Sequence, residues 1–202
     1  MSEPTSSEPT APSEPGPTPA GRGGFSFPLK VLAGATALLI LALVIGLLLP
    51  GRWEVERSTL VAAPPAAVFA WLDGPRAWDE WAPLGDVESS FSGPERGAGA
   101  TRSWDHPEFG DGRFAIVSTA PDREVRYHVE VQEGSLITDG TLRLAPEGAG
   151  TRVTWTEAGD FGPNPLMGYT ALGMDRMQGN QMENALRRLA ELAERSGAGA
   201  AR

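Results

Sequence analysis

Cysteine is absent from the 202-residue sequence, and lysine and histidine are scarce. Without cysteine the chain forms neither disulfides nor thiolate metal sites. The only lysine, Lys30, lies near the N-terminus, so the region after residue 50 contains neither a Schiff-base lysine nor a P-loop. Two histidines, His106 and His128, cannot by themselves supply the three or four ligands of a metal centre. We therefore expect no metal site and no cofactor.

Basic residues are outnumbered by acidic residues. The chain has 17 Lys and Arg against 26 Asp and Glu, and its formal net charge is −9 at pH 7. Nucleic acids attract proteins with the opposite balance of charge. We therefore expect no nucleic-acid partner.

Motifs that identify an enzyme are also missing. The sequence contains no G-x-S-x-G elbow of a serine hydrolase. Asp105 and His106 are neighbours, but adjacent residues of a strand point to opposite faces, which argues against a catalytic dyad. The sequence alone leaves open whether the protein is an enzyme.

The N-terminal residues 1–28 are rich in Ser, Glu and Pro. Residues 1–24 contain no aromatic or branched aliphatic side chain, so this segment cannot bury enough apolar area to offset its ordering entropy. The composition predicts a disordered tail over residues 1–28.

An apolar run follows the tail. Residues 31–49, VLAGATALLILALVIGLLL, contain no charge, and as a helix they are just long enough to span a hydrocarbon core of roughly 30 Å. The run is longer than the apolar region of a signal peptide, and no A-x-A cleavage site follows it. A buried helix of a soluble protein is the remaining alternative. We predict a transmembrane helix over residues 29–50, which contacts the lipid bilayer through residues 31–49.

The orientation of this helix is not determined by charge. Arg22 and Lys30 on one side balance Arg52 and Arg57 on the other. A lone N-terminal anchor usually leaves its short tail inside while the following domain crosses. The expectation is therefore a single-pass membrane protein with an extracytoplasmic domain.

The pattern of residues 51–196 predicts one α+β domain. Residues 52–62 alternate as a first strand, and Pro65 and Pro75 precede two short helices. Residues 86–161 alternate with period two between turn sequences, which predicts six further strands in an antiparallel meander. Apolar residues then recur every three or four positions from Pro165 to Arg195, as in a long helix. Its glycines at 173 and 179 predict a bend or break, and residues 197–202 are predicted to be disordered.

Alternation places most apolar residues of the meander on one face of the sheet. A sheet with one apolar face needs a cover, and the C-terminal helix can provide it. The residues assigned to this face are Trp104, Phe114, Ile116, Tyr127, Val129, Val131, Leu142, Leu144, Val153 and Trp155.

Two segments of this domain resemble a known family. They are RSTLVAAPPAAVFAWLDGPRAWDEWAPL, residues 57–84, and MGYTALGMDRMQGNQMENALRRLAELAE, residues 167–194. With the order of helices and strands, they resemble the START-like superfamily, also called SRPBCC, over residues 52–195. Within it the chain looks most like the polyketide cyclase/dehydrase-like group that carries an N-terminal membrane anchor.

The resemblance implies a helix-grip fold, in which a curved antiparallel sheet of about seven strands surrounds the long C-terminal helix. A cavity between the two would hold a hydrophobic or amphipathic small molecule, lipid or polyketide-like. The implied function is a membrane-anchored binding domain for such a molecule. A cyclase or dehydratase acting in the same cavity is the alternative, and a structural or regulatory domain with a closed core is a third reading.

Three polar residues are candidates for acid–base chemistry. Glu157 has the strand parity of Trp155 and points inward if the strand continues that far; otherwise it is solvated. Tyr127 lies on the apolar face, either as a core residue or as a phenol presented to the cavity. Asp139 is the third candidate.

Aromatic and methionine side chains are the candidates for ligand binding. Trp78 and Trp81 are three residues apart and lie on one helix face. They could form a pocket wall, anchor the short helix or contact the membrane. The methionines at the start of the last helix suit either a lipid pocket or a core. The predicted ligand-binding residues are Trp78, Trp81, Trp104, Phe114, Tyr127, Trp155, Met167, Tyr169, Met174 and Met177.

Overall fold

A computed structural model describes residues 27–83, 87–107 and 110–200 of the chain. Most of the predicted tail, residues 1–26, lies outside the described residues, as do residues 201–202. The chain divides into two compact units, residues 1–39 and residues 40–202.

Helix α1 spans Phe27–Leu48, two residues earlier at each end than predicted. Its 22 residues correspond to roughly 33 Å at 1.5 Å per residue. Its leucine, isoleucine and valine side chains are largely exposed. The helix is therefore long and apolar enough to cross a membrane.

Seven strands form one antiparallel sheet within the described residues. The order across the sheet is β1-β7-β6-β5-β4-β3-β2, so the first strand pairs with the last and the other six form the predicted meander. The strands are β1 Arg52–Val61, β2 Ser89–Ser92, β3 Thr101–Trp104, β4 Gly112–Ala120, β5 Glu124–Val131, β6 Leu136–Glu147 and β7 Gly150–Asp160.

Two short helices connect β1 to β2. Helix α2 spans Pro65–Phe69 and helix α3 spans Pro75–Trp81, and each begins at a proline, whose fixed φ suits the first helical turn. The indole N–H of Trp78 donates to the carbonyl oxygen of Leu72 at 2.8 Å, and that of Trp81 donates to Trp71 at 3.0 Å. The tryptophans therefore fix α3 to the turn that follows α2.

The apolar face of the sheet is covered by the last helix, α4, which spans Pro165–Ala200. Its buried residues Met182, Leu186 and Leu189 face inward-pointing sheet residues such as Val55 and Leu142 in one core. This is the helix-grip arrangement that the resemblance implied. Residues 197–200 are part of the helix, so the predicted disordered C-terminus is wrong for these four positions.

Helix α4 also runs without a break through Gly173 and Gly179, where a bend or break was predicted. Gly179 is buried against the guanidinium of Arg57, and a Cβ there would overlap it. Arg57 forms ion pairs with Asp175 at 2.9 Å and Glu183 at 2.8 Å. Because Gly179 has no side chain, Arg57 of β1 can lie against α4 at this position. Its guanidinium then binds the carboxylates of Asp175 and Glu183, which are four residues before and four residues after the glycine.

Candidate ligand cavity

A cavity of about 510 Å³ lies between the apolar face of the sheet, α3 and the middle of α4. This volume is within the range of small-molecule sites, roughly 300–1,000 Å³. The cavity is lined by Pro75, Trp78, Trp81, Ala82, Pro83, Arg102, Trp104, Phe114, Tyr127, Val129, Trp155, Glu157, Gln178, Gln181, Met182, Asn184, Ala185 and Arg188.

Aromatic rings form one wall of this cavity. The ring of Trp78 is 4.5 Å from Trp81, 4.7 Å from Phe114 and 4.8 Å from Tyr127, measured between centroids. Trp155 contacts the same cluster from β7, 5.4 Å from Trp81. Tilted and edge-to-face contacts of this kind hold rings in place beyond the effect of burial alone. The wall is therefore a rigid apolar surface.

A hydrogen-bonded chain of polar groups crosses this wall. The indole N–H of Trp155 donates to the hydroxyl oxygen of Tyr127 at 2.7 Å, and the Tyr127 hydroxyl donates to Oε1 of Glu157. The amide nitrogen of Gln178 donates to Oε2 of Glu157 at 2.6 Å. Each carboxyl oxygen of Glu157 thus has a donor, although the side chain is only 5% exposed.

Burial sets the ionisation of this pair. It raises the pKa of Glu157 above its ordinary value of 4.5, although the hydrogen bonds from Tyr127 and Gln178 oppose that rise. Burial, and then the neighbouring carboxylate, raises the pKa of Tyr127 well above 10.0, so its phenol remains a proton donor. The cavity therefore contains a carboxyl group that retains a proton to higher pH than a surface glutamate.

A buried arginine lies elsewhere on the cavity lining. Arg102 is 4% exposed, donates from Nε to the Ser89 hydroxyl at 2.8 Å, and pairs with the carboxylate of Asp79 on α3. The cavity thus offers a cation and a carboxyl group beside its apolar wall. Within residues 27–83, 87–107 and 110–200, no three His, Asp or Glu side chains converge as metal ligands.

Strand register locates the cavity within the sheet. Arg52, where the chain enters β1, pairs with Asp160, and three residues further along Val55 pairs with Glu157. Glu157 pairs with Gly140 and Gly140 with Tyr127, which puts these residues in one row across the sheet. The cavity therefore lies in the half of the sheet nearer to Arg52.

Seven of the residues singled out in the sequence line this cavity: Trp78, Trp81, Trp104, Phe114, Tyr127, Trp155 and Glu157. Trp78 and Trp81 line the cavity and also hold α3 in place through their indole hydrogen bonds. The same two side chains therefore form the pocket wall and anchor the short helix. Glu157 is inside because β7 continues to Asp160. That these residues bind a ligand remains a prediction.

Five of the predicted site residues lie outside the cavity. Asp139 is on the opposite face of the sheet, where its carboxylate binds Nδ1 of His128 at 2.7 Å. Met174 is a core residue, and Met177 is on the surface. Tyr169 donates to the carbonyl oxygen of Ala42 at 2.7 Å. Met167, two residues before Tyr169, does not line the cavity either. The part of α4 that covers the cavity begins only at Gln178.

Several lining residues were not predicted from the sequence, and Arg102 is the most important of them. It has the strand parity of Trp104, and this parity is the signal in the sequence that places it inward. On α4 the missed residues recur at steps of three and four, a spacing that does not indicate which turns of a long helix face a cavity. They are Gln178, Gln181, Met182, Asn184, Ala185 and Arg188.

The fold and its cavity define a class, an α+β helix-grip domain of the START-like type. Residues 52–194 match the family described as "Polyketide cyclase / dehydrase and lipid transport", and the chain belongs to this family. No curated protein matches the chain.

Solved structures share the fold at low identity. Protein CV1439 from Chromobacterium violaceum has a TM-score of 0.52 at 18% identity, over 70% of this chain and 96% of that chain. The di-domain ARO/CYC StfQ from the steffimycin biosynthetic pathway has a TM-score of 0.54 at 16% identity, over 71% of this chain and 51% of its own. Ara h 8.0201 has a TM-score of 0.53 at 14% identity, over 70% and 97%.

Proposed function

We propose that this protein is a membrane-anchored domain that binds a hydrophobic or amphipathic small molecule, lipid or polyketide-like, in the cavity beneath α4. The observation that carries the proposal is the 510 Å³ cavity itself, with its fixed aromatic wall. A closed structural core would fill this space with side chains, because protein interiors leave few voids larger than a water molecule.

The lining supports an amphipathic ligand over a purely apolar one. Flat or branched apolar groups would pack on Trp78, Phe114 and Trp155. A hydroxyl or carbonyl group of the ligand would find hydrogen-bonding partners at Glu157 and Gln178, and an acidic group would be attracted to Arg102. Polar groups left without such partners in the cavity would cost affinity.

The anchor proposal rests on α1, whose length and composition fit a bilayer. The cavity lies in the half of the sheet nearer to Arg52, the residue at which the chain enters β1 after α1. A ligand dissolved in the bilayer would therefore be close to the cavity. The domain is proposed to be extracytoplasmic, as the usual arrangement of a single N-terminal anchor suggests.

Two alanine-to-leucine variants test the binding proposal. Ala185 lines the cavity, whereas Ala190, five residues further along α4, is half-buried outside it. Full-length protein, extracted from membranes in mild detergent, would be analysed by native mass spectrometry. The proposal expects a bound small molecule on the wild type and on Ala190→Leu, and loss of most of it on Ala185→Leu.

Thermal unfolding of both variants serves as the folding control, because an added side chain in a packed region costs about 1–3 kcal/mol by itself. Equal loads of bound molecule on two folded variants would rule out this cavity as the binding site.

A second candidate function is a cyclase or dehydratase acting in the same cavity. The specific observation in its favour is the buried Glu157 carboxyl group, whose raised pKa and contact with the Tyr127 hydroxyl suit proton transfer. StfQ, a structure of the same fold, is named as an ARO/CYC of a biosynthetic pathway. Conversion of an aromatic polyketide intermediate by the wild type, lost in Glu157→Gln with binding retained, would establish this function. Equal turnover by the two proteins would exclude Glu157 as the acid or base.

A further inference from the structure

The start of α4 carries an apolar surface that the domain does not cover. Residues 161–174, from Phe161 to Met174, contain no charged side chain. Leu166 is 66% exposed and Leu172 is 64% exposed, and Tyr169 is also exposed. The surface is bounded by charge at both ends, by Asp160 before it and Asp175 after it.

This segment extends beyond the end of the sheet. Gln178 of α4 is hydrogen-bonded to Glu157, which is level with Val55 of β1. From Gln178 back to Pro165 the helix covers roughly 20 Å, at 1.5 Å per residue. From Val55 back to Arg52 the strand covers only roughly 10 Å, at about 3.3 Å per residue. The first turns of α4 therefore project past the point at which the chain enters the sheet.

The projecting turns lie against the end of α1, in the same compact unit of the chain. The Tyr169 hydroxyl donates to the carbonyl oxygen of Ala42, six residues before Leu48, the last residue of α1. Gly168 approaches Gly46 so closely that a Cβ on it would be 2.8 Å from the Gly46 carbonyl oxygen. Close approach at small residues is the usual way in which helices pack within membranes.

The depth of Ala42 along α1 indicates what surrounds these turns. Six residues of helix correspond to roughly 9 Å below the end of α1. A bilayer that surrounds α1 up to Leu48 would then also surround the turns of α4 that contact Ala42 and Gly46. Exposed leucines are favourable in that setting and unfavourable in water.

An ion pair joins the start of β1 to the end of β7. Arg52 and Asp160 are 3.2 Å apart, between Nε and Oδ2. An uncharged stretch of sequence adjoins each residue of this pair. Residues 31–51 directly precede Arg52, and residues 161–174 directly follow Asp160.

From these observations we infer that residues 161–174 are embedded in the bilayer surface beside the last turns of α1, as a second, shorter membrane element that fixes the domain close to the membrane. The occupant of the exposed apolar face is lipid. This inference rests on the proposed role of α1 as a membrane anchor.

The absence of cysteine makes a direct test possible, because any introduced cysteine is the only labelling site. Spin labels would be attached to full-length Leu166→Cys, Leu172→Cys, Asn180→Cys and Leu39→Cys in phosphatidylcholine vesicles. Accessibility to oxygen, which concentrates in lipid, would be compared with accessibility to a water-soluble nickel chelate. Labels at 166, 172 and 39 are expected to favour oxygen, and the label at the exposed position 180 to favour nickel.

The pattern of labels separates the two proposals. If the labels at 166 and 172 favour nickel while the label at 39 favours oxygen, α1 is an anchor and the inference about α4 is wrong. If the label at 39 favours nickel, the anchor proposal fails and the inference fails with it. Labels at 166 and 172 protected from both reagents would mean that a second copy of the chain covers this face, which would also overturn the inference.

Discussion

Glu157 is deeply buried, accepts hydrogen bonds from two donors, Tyr127 and Gln178, and lines the cavity. Its neighbours Tyr127 and Trp155 are themselves buried, so the polar chain is held by aromatic packing on both sides. A ligand group that approaches Glu157 meets a carboxyl group whose position is already fixed. Such preorganisation reduces the ordering cost of binding.

The raised pKa of Glu157 predicts a specific dependence of stability on pH. In the unfolded chain the carboxyl group ionises near its ordinary pKa of 4.5, whereas the folded protein retains the proton to higher pH. Between these two values the unfolded state has released a proton that the folded state still holds, so the free energy of unfolding falls as pH rises. Above the folded pKa this contribution is constant.

The variant Glu157→Gln removes the titrating group while preserving most of its shape. Its free energy of unfolding is expected to change less with pH above 4.5 than that of the wild type. Urea unfolding in mild detergent at a series of pH values would measure the difference. Glu80→Gln, at an exposed position of α3, is the matched control and should keep the wild-type profile. Parallel profiles for wild type and Glu157→Gln would contradict the assignment.

Side-chain direction at the site was predictable where strand alternation was unbroken. Alternation placed Tyr127 and Trp155 inward, and it also excludes Asp139, which has the opposite parity to the buried Leu142 on β6. The structure also contains a register shift in β4, between Ile116 and Ser118, but it lies beyond Phe114 and does not affect the cavity. Whether β7 continued as far as Glu157 depended on pairing with β1, which is distant in the sequence.

At the scale of elements, α4 shows how one glycine can be required and another dispensable in the same helix. Gly179 lies against Arg57, whereas nothing lies within 4 Å of a Cβ built on Gly173. Arg57 in turn lowers the pKa of Asp175 through a hydrogen bond, which shows that the pair favours the charged state of both groups. From sequence, both glycines appeared only as weak points of a helix.

Two glycine-to-alanine variants follow from this contrast. Gly173→Ala is expected to stabilise the protein by about 0.5–1 kcal/mol, because alanine loses less backbone entropy in a helix. Gly179→Ala is expected to destabilise it despite the same gain in helix propensity, because the new Cβ displaces the Arg57 guanidinium from Asp175 and Glu183. Melting temperatures measured by circular dichroism should shift in opposite directions. A shift upward for both variants would show that the Arg57 contacts add nothing to stability.

The elements themselves were largely predictable from local sequence. Turn residues and prolines delimit β4 and α3, because these signals act locally. The position of the cavity along α4 was not predictable in this way. It depends on where the helix crosses the sheet, and that is set by long-range contacts such as the one between Gln178 and Glu157.

At the scale of the whole molecule, the chain joins an apolar helix to a domain of a family that is described by polyketide chemistry and lipid transport. The acidic composition of the chain and the apolar surface at the start of α4 then have separate roles. In the proposed arrangement the charged surface faces water, and the uncharged stretches of the chain lie at the end of the domain next to the bilayer. In this account the cavity is placed where an amphipathic molecule from the bilayer can reach it.

A crystal structure of the full-length protein, purified from membranes in mild detergent without delipidation, would test the central claim most directly. The account predicts continuous electron density for a small molecule between α4 and the sheet, in contact with Trp78 and with a polar group near Glu157 or Arg102. Side chains that fill this space, or a cavity that contains only water, would contradict it.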